Sequence, residues 1–286
     1  MRRWPAALAV ALLTLTACQS PSTSDPGPVR TTQSPARTTE RFVSDPATPS
    51  ISVTQSHTRA VRGSLSGKVI VLDPGHNPGN AAQPTRMNHL VDAGGFLKAC
   101  DTSGTSTDGG YPESLFTLDV AQHAAADLRQ MGATVVLTRD ATTPFGPCIT
   151  ARAAIGNRAH AQVAVSIHAD GGPASGAGFH VIVPVPVSWK TGNNLPIVAP
   201  SRRLALDLRG AFRSVTGEPF ANYVGQDGLA FRGDLGGLNL SQVPKVFIEC
   251  ANMRNAVDAA RVTDPSWRAG AAQGVADGIA LFLQQA

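Results

Sequence analysis

Three short apolar runs in this chain each end in a residue that can bind a metal ion or move a proton. The runs cover residues 69–76, 163–168 and 246–249 and end in His76, His168 and Glu249. Their length and composition are typical of buried strands. In an open α/β sheet, the carboxyl ends of the strands line the ligand crevice. The pattern therefore predicts that two histidines and a glutamate converge from distant parts of the chain, as in a metal-dependent hydrolase.

The N-terminus predicts export. Two arginines at positions 2 and 3 precede an apolar stretch over residues 4–15, which has the charge and length of a secretory signal and is too short to span a bilayer. The sequence Leu-Thr-Ala-Cys at 15–18 resembles the lipobox of bacterial lipoproteins, in which the cysteine carries the lipid. We expect a lipoprotein signal over residues 1–18 with the lipid on Cys18. The alternative is an ordinary signal cleaved near Ala17.

A polar segment follows the signal. Residues 19–60 contain 22 Ser, Thr or Pro in 42 positions. This segment therefore has too few apolar side chains to offset the entropy lost when a chain becomes ordered. We expect a disordered tether over residues 19–66, with a root-mean-square reach of roughly 35 Å if it behaves as a flexible coil. A lipid on Cys18 would then place the protein in the cell envelope, on the outer face of the cytoplasmic membrane and facing the cell wall.

The remaining residues, 67–286, are enough for one domain with a substantial core. Apolar periodicity in this part predicts alternating strands and helices. The predicted helices cover about 113–130, 150–160, 202–215 and 267–283, and the further strands cover 134–138, 178–183 and 245–249. Such alternation predicts a single α/β domain, with a mainly parallel twisted sheet and helices on both faces.

The cysteines suit an oxidising compartment. Beyond Cys18, three remain, which allows one disulfide and one free thiol. Cys100 and Cys148 lie in loop-like surroundings, whereas Cys250 ends an apolar strand and resembles a small buried residue. We therefore expect a disulfide between Cys100 and Cys148. The alternative is that all three are unpaired.

Taken singly, the candidate site residues have ordinary explanations. Asp73 begins an Asp-Pro-Gly turn signal, so His76 could simply follow a turn. Glu113 could be a carboxylate that favours the start of a helix, and His168 a satisfied histidine at a strand end. Glu249 is harder to explain in this way, because a carboxylate after Val-Phe-Ile is costly to bury without a partner.

Together, four segments resemble the zinc-dependent N-acetylmuramoyl-L-alanine amidases, in the order that this family has. They cover residues 72–76, 110–113, 166–170 and 247–249. The similarity is closest to a compact exported branch of the family that also carries the Cys100–Cys148 pair. The resemblance implies that the chain cleaves the amide between the lactyl group of N-acetylmuramic acid and L-alanine in peptidoglycan. It also implies Zn²⁺ bound by His76, Glu113 and His168, with Glu249 as the catalytic carboxylate.

The chemistry of these residues agrees with that implication. Two histidines and one glutamate leave a position open on tetrahedral zinc for water. A positioned carboxylate can move the proton of that water. Two other functions remain open: an exported zinc peptidase or other hydrolase, and a lipoprotein that binds peptidoglycan without cutting it. A Cys250 thiolate acting as the nucleophile remains open as an alternative mechanism.

Other features define the expected partners. Asp170, His180 and Arg232 lie near the candidate motifs in sequence, and each could contact substrate or support the site. The formal charge of +4, the pI near 9.1 and 15 aromatic residues, without a concentrated basic run, give little support for nucleic-acid binding. We expect a monomer whose substrate is peptidoglycan or its muropeptides.

Overall fold

A six-stranded sheet brings the ends of the three apolar runs to one edge. The computed structural model describes residues 64–285, so the expected signal with Cys18 and most of the expected tether lie outside the described residues. From one side of the sheet to the other, the strands are β4 (Thr134–Leu137), β1 (Val69–Pro74), β5 (Val163–Asp170), β10 (Lys245–Asn252), β6 (His180–Pro184) and β9 (Leu229–Arg232).

The sheet is mainly parallel, as the sequence predicts. Strands β4, β1, β5 and β10 run in one direction. Strand β6 pairs antiparallel with β10, and β9 follows the direction of β6. In this register Glu249 lies beside His168 on one side and His180 on the other. The change of direction at β6, which the sequence does not predict, therefore brings His180 next to Glu249.

Two small hairpins and seven helices complete the described part of the chain. The hairpins are β2 (Leu90–Asp92) with β3 (Leu97–Ala99), and β7 (Ser188–Trp189) with β8 (Gly192–Asn193). The helices are α1 (Pro84–Met87), α2 (Glu113–Gln130), α3 (Ile149–Arg158), α4 (Leu195–Thr216), α5 (Gly236–Asn239), α6 (Ala256–Thr263) and α7 (Pro265–Gln284), and a 3₁₀ turn covers Asn80–Ala82.

Side-chain alternation along the strands explains why helices cover both faces. In β5, Val163, Val165 and Ile167 point into the main core, where α2 and α4 pack on the sheet and α7 packs on both of these helices. Ala164 points to the other face, beneath α3, together with Val71 of β1. His168 shares the parity of Ala164. The alternation that builds the two faces therefore also directs His168 away from the main core.

Some element boundaries differ from the prediction. Helix α2 has the predicted bounds, but α4 begins at Leu195 rather than near 202. Pro196 lies in its first turn, where the absent N–H costs nothing. Helix α6 is missing from the prediction because it has only eight residues. Its start is fixed by Asn255, whose side chain accepts hydrogen bonds from the backbone of the first turn.

The cysteine prediction is confirmed. Cys100 and Cys148 form a disulfide, and Cys250 is a free, buried residue in the main core. Burial raises the pKa of the Cys250 thiol well above its usual value. A thiolate mechanism at this residue therefore has no support from the structure.

Among residues 64–285, no helix is both long and apolar enough to cross a membrane.

Candidate active site

Three side chains from separate elements meet at the carboxyl edge of the sheet. His76 follows β1, His168 lies near the end of β5, and Glu113 is the first residue of α2. Each offers one ligand atom, and these atoms lie within 4.8 Å of one another. Oε1 of Glu113 is 2.9 Å from Nδ1 of His168 and 3.4 Å from Nε2 of His76. The structure thus brings together the three residues that the family resemblance implies as metal ligands.

The turn after β1 has an unusual backbone that brings the histidines together. His76 has φ 54°, in the left-handed region that only a minority of non-glycine residues adopt. Gly75 precedes it and has no space for a side chain, because a Cβ there would lie 2.3–2.6 Å from the ring atoms of His168. The rings of His76 and His168 meet edge to face, with centroids 4.9 Å apart.

Glu113 is both a helix-start carboxylate and a site residue. Its Oε2 accepts a hydrogen bond from the backbone N of Thr105 at 2.9 Å, while its own backbone N donates to the carbonyl of Thr105 at 2.9 Å. Its Oε1 accepts from the backbone N of Ala169 at 3.3 Å. Burial alone would raise the pKa of Glu113, but the charge of His76 and the hydrogen bond with His168 hold it below its usual value.

Arg139 links the segments that carry His76 and Glu113. This buried side chain donates to the carbonyl oxygen of Gly75 at 3.0 Å and to that of Ser114 at 2.7 Å. The first contact lies next to His76 and the second next to Glu113. Sequence reasoning missed Arg139, because it lies two residues after the end of β4 without any motif around it.

Asp73 is a buried structural charge, so its interpretation as a turn residue is incomplete. It lies within β1 and accepts four side-chain hydrogen bonds at 2.6–3.0 Å. The donors are Thr138, Arg152, Ser166 and Lys245. Burial would raise the pKa of Asp73, but Lys245 and Arg152 hold it well below its usual value. This network stiffens the sheet directly beneath the candidate site.

Glu249 lies next to the three converging residues. It is the neighbour of His168 across the β5–β10 pair. Burial, followed by the carboxylates of Glu113 and Asp170, raises the pKa of Glu249 well above its usual value. A carboxyl group that takes up a proton this readily is suited to general acid–base chemistry.

The three further candidates lie around Glu249 and have different environments. Asp170 accepts a hydrogen bond from the hydroxyl of Tyr223 at 3.0 Å, a residue that sequence reasoning did not connect with the site. Burial lowers the pKa of His180 to about 4, although Asp170 opposes this effect, and Nδ1 of His180 has no hydrogen-bond partner among the described residues. Arg232 forms a two-armed ion pair with Asp234 at 2.6 and 2.8 Å.

The donor set fits a divalent metal ion. Two imidazoles and one carboxylate are ligands that zinc accepts, and a set of three leaves room for a reacting molecule. Burial opposes a positive charge on His76, yet Glu113 and Asp101 raise the pKa of His76 to about 10. The carboxylates around this ring therefore favour a positive charge on it. A bound metal ion would supply that charge in place of a proton.

The fold and site together define an α/β domain with a candidate metal centre at the carboxyl edge of its sheet. Comparison with known protein families defines the class further. The sequence over residues 70–281 matches the N-acetylmuramoyl-L-alanine amidase family. The chain belongs to this family.

Individual relatives agree with the family assignment. An N-acetylmuramoyl-L-alanine amidase of Mycobacterium tuberculosis is 40% identical over 228 residues, which cover 80% of this chain and 91% of the relative. The crystal structure of an N-acetylmuramyl-L-alanine amidase from Mycobacterium smegmatis has a TM-score of 0.72 and 39% identity, covering 78% of this chain and 100% of that one. The corresponding enzyme from Mycobacterium abscessus, solved in its apo form, has a TM-score of 0.69 and 43% identity, covering 77% and 100%.

Proposed function

We propose that this protein is a peptidoglycan hydrolase that cleaves the amide between the lactyl group of N-acetylmuramic acid and the L-alanine of the stem peptide. The observation that carries the proposal is the convergence of His76, Glu113 and His168 at one sheet edge with Glu249 beside them. The family to which the chain belongs, and the names of its relatives, identify the bond.

The metal that we propose is zinc. His76, Glu113 and His168 would hold it, and when bound it would activate water and polarise the amide carbonyl. Glu113 lies between the two histidines, and the backbone N–H groups of Thr105 and Ala169 donate hydrogen bonds that fix its carboxylate. The three ligands are therefore held before any metal arrives, which reduces the entropy lost on binding.

Glu249 is the residue that we assign to proton transfer. Its position beside the proposed ligands supports this role, in which the carboxylate accepts a proton from the attacking water and returns one to the departing alanine nitrogen. Asp170, His180 and Arg232 surround this carboxyl group, and we assign them to substrate contact or to support of Glu249. A neutral His180, with its Nδ1 free of partners among the described residues, can offer a hydrogen bond without adding charge.

Metal removal tests this function. We expect a strong chelator to abolish the release of stem peptide from muropeptides, and stoichiometric zinc to restore it. The products are identified by mass spectrometry, so that cleavage of a different bond is recognised. Full activity in the metal-free protein would contradict the proposed role of the three ligands.

We also propose where the enzyme acts. The lipobox-like sequence ending at Cys18 and the polar stretch over 19–66 support a lipid-anchored protein whose catalytic domain, residues 67–286, reaches the cell wall from the outer face of the membrane. The lipid anchor and the monomeric state are proposals from the sequence.

A further inference from the structure

The imidazole of His76 is held from behind by the two residues that follow Cys100. Its Nδ1 lies 3.1 Å from the carbonyl oxygen of Thr102, 3.2 Å from the hydroxyl of Thr102 and 3.3 Å from Oδ1 of Asp101. A carbonyl and a carboxylate can only accept hydrogen bonds, so they favour the form of the ring that carries a hydrogen on Nδ1. The lone pair of Nε2 then faces the other candidate ligands, 3.4 Å from Glu113.

Asp101 is itself held by buried groups. Its Oδ2 accepts hydrogen bonds from Nη2 of Arg152 at 3.2 Å and from Nδ2 of Asn80 at 3.1 Å, and its Oδ1 accepts from the backbone N of Thr102 at 2.7 Å. The side chains of Asp101 and Arg152 are only 7% and 6% exposed. Charged hydrogen bonds in such surroundings are strong and directional.

The disulfide joins the segments that carry these two residues. Cys100 directly precedes Asp101, and Cys148 is the N-cap of α3, one turn before Arg152. The backbone N of Ile149 also donates to the carbonyl oxygen of Cys100 at 2.8 Å. The covalent bond therefore limits how far Asp101 and Arg152 can separate.

We propose that Asp101 is a positioning residue for His76, and that the Cys100–Cys148 disulfide keeps Asp101 in place. The side chain of His76 needs such support because its backbone has φ 54°, outside the relaxed regions for most residues. A carboxylate behind a metal-binding histidine fixes the tautomer and the ring direction and raises the basicity of the ligand nitrogen. The inference rests on the proposed zinc site and adds a second layer of residues to it.

Zinc affinity, measured by competition with a chelator, tests the positioning role separately from catalysis. We expect Asp101→Ala to weaken zinc binding by about 10–100-fold. Asp101→Asn should lose less, because the amide oxygen can still accept from Nδ1. The matched control is Asp119→Ala, which breaks another ion pair with an arginine, Arg268 at 2.6 Å, away from the site. The control should bind zinc as the wild type does.

Equal zinc affinity for Asp101→Ala and the wild type would overturn the inference. If the wild type itself binds no zinc, the proposed function fails instead, so the two failures are distinguishable. Nitrogen-15 NMR of the zinc-loaded protein gives a second readout. A hydrogen on Nδ1 of His76 is expected, whereas a hydrogen on Nε2 would contradict the assignment.

The disulfide is tested with Cys100→Ser combined with Cys148→Ser, after circular dichroism has established that the variant is folded. We expect a reduction of zinc affinity of about tenfold, at the lower end of the range for outer-shell partners. Adding Asp101→Ala to this variant should reduce the affinity by less than it does in the wild type, because both changes act on the same contact. A folded double-serine variant with wild-type affinity would remove the disulfide from the account, and Asp101→Ala still decides the role of Asp101 if the variant does not fold.

Discussion

At the scale of single residues, two glycines limit the space around the side chains of the candidate site. Gly104 has φ 76°, and a Cβ there would lie 2.8 Å from Oε2 of Glu113 and 2.8 Å from Cδ2 of His76. Gly75 makes a similar approach to His168. The side chains of His76, Glu113 and His168 therefore pack directly against glycine backbone with no space for a side chain.

We predict that Gly104→Ala weakens zinc binding by at least about tenfold. The added methyl group would displace the side chains of His76 and Glu113. Loss of a direct ligand lowers zinc affinity more than loss of a residue that only supports a ligand. Chelator competition measures the effect. The matched control is Gly110→Ala, which places alanine at a comparable positive φ of 84° but with no atom within 4 Å of its Cβ. If both variants lose zinc equally, backbone strain rather than contact with the ligands is responsible, and our description of the site is wrong.

The sequence pointed to the proposed ligands through the family resemblance of four segments taken together, since each residue alone had an ordinary explanation. It did not point to their supporting residues. Asp101, Arg139 and Arg152 lie in loops or at helix positions without a motif. Their roles depend on contacts between distant segments, such as Arg139 with Ser114, 25 positions away, and Arg152 with Asp73, 79 positions away. Such contacts follow from tertiary packing, which local patterns do not encode.

At the scale of elements, close packing between α4 and α7 covers one face of the sheet. Two glycines of α7 allow the helices to approach: a Cβ on Gly278 would lie 2.5 Å from Cα of Leu208, and one on Gly274 would lie 2.8 Å from Cα of Phe212. The opposing atoms belong to backbone, so a rotamer change cannot relieve the contact. The periodicity of the sequence predicts both helices but not this distance of approach.

We predict that Gly278→Ala lowers the free energy of unfolding by about 1–3 kcal/mol, the usual cost of overpacking a core. Gly270→Ala, on the same helix with no atom within 4 Å of its Cβ, should instead raise it by about 0.5–1 kcal/mol through helix propensity. Urea denaturation of the two variants measures both changes. A stabilised Gly278→Ala variant would show that α4 and α7 are not packed as described.

The fold class was predictable from the alternation of strands and helices, and its mainly parallel sheet is confirmed. The antiparallel direction of β6 was not predictable, because both directions give the same apolar run in a strand that is buried throughout. Boundaries were least predictable where proline is tolerated, as at the start of α4. Elements of four residues, such as α5, carry too little periodicity to be recognised.

At the scale of the whole molecule, the proposed attachment to the membrane depends on a segment outside the described residues. We predict that Cys18→Ala moves the protein from the membrane fraction to the soluble exported fraction, while muropeptide cleavage by the purified protein is unchanged. Immunoblotting of fractions measures this result. Cleavage serves as the control for folding, and continued membrane association of the variant would contradict lipid attachment at Cys18.

The most direct test of the account is product analysis for the zinc-loaded wild type beside Glu249→Gln, with zinc content measured in both. Purified muropeptides are incubated with each protein and analysed by mass spectrometry. We predict that the wild type releases the sugar and a stem peptide with a free alanine amine, and that Glu249→Gln binds zinc but is slower by about 10²–10⁴-fold. Cleavage at another bond by the wild type, or equal rates for the two proteins, would contradict the proposed reaction or the role of Glu249.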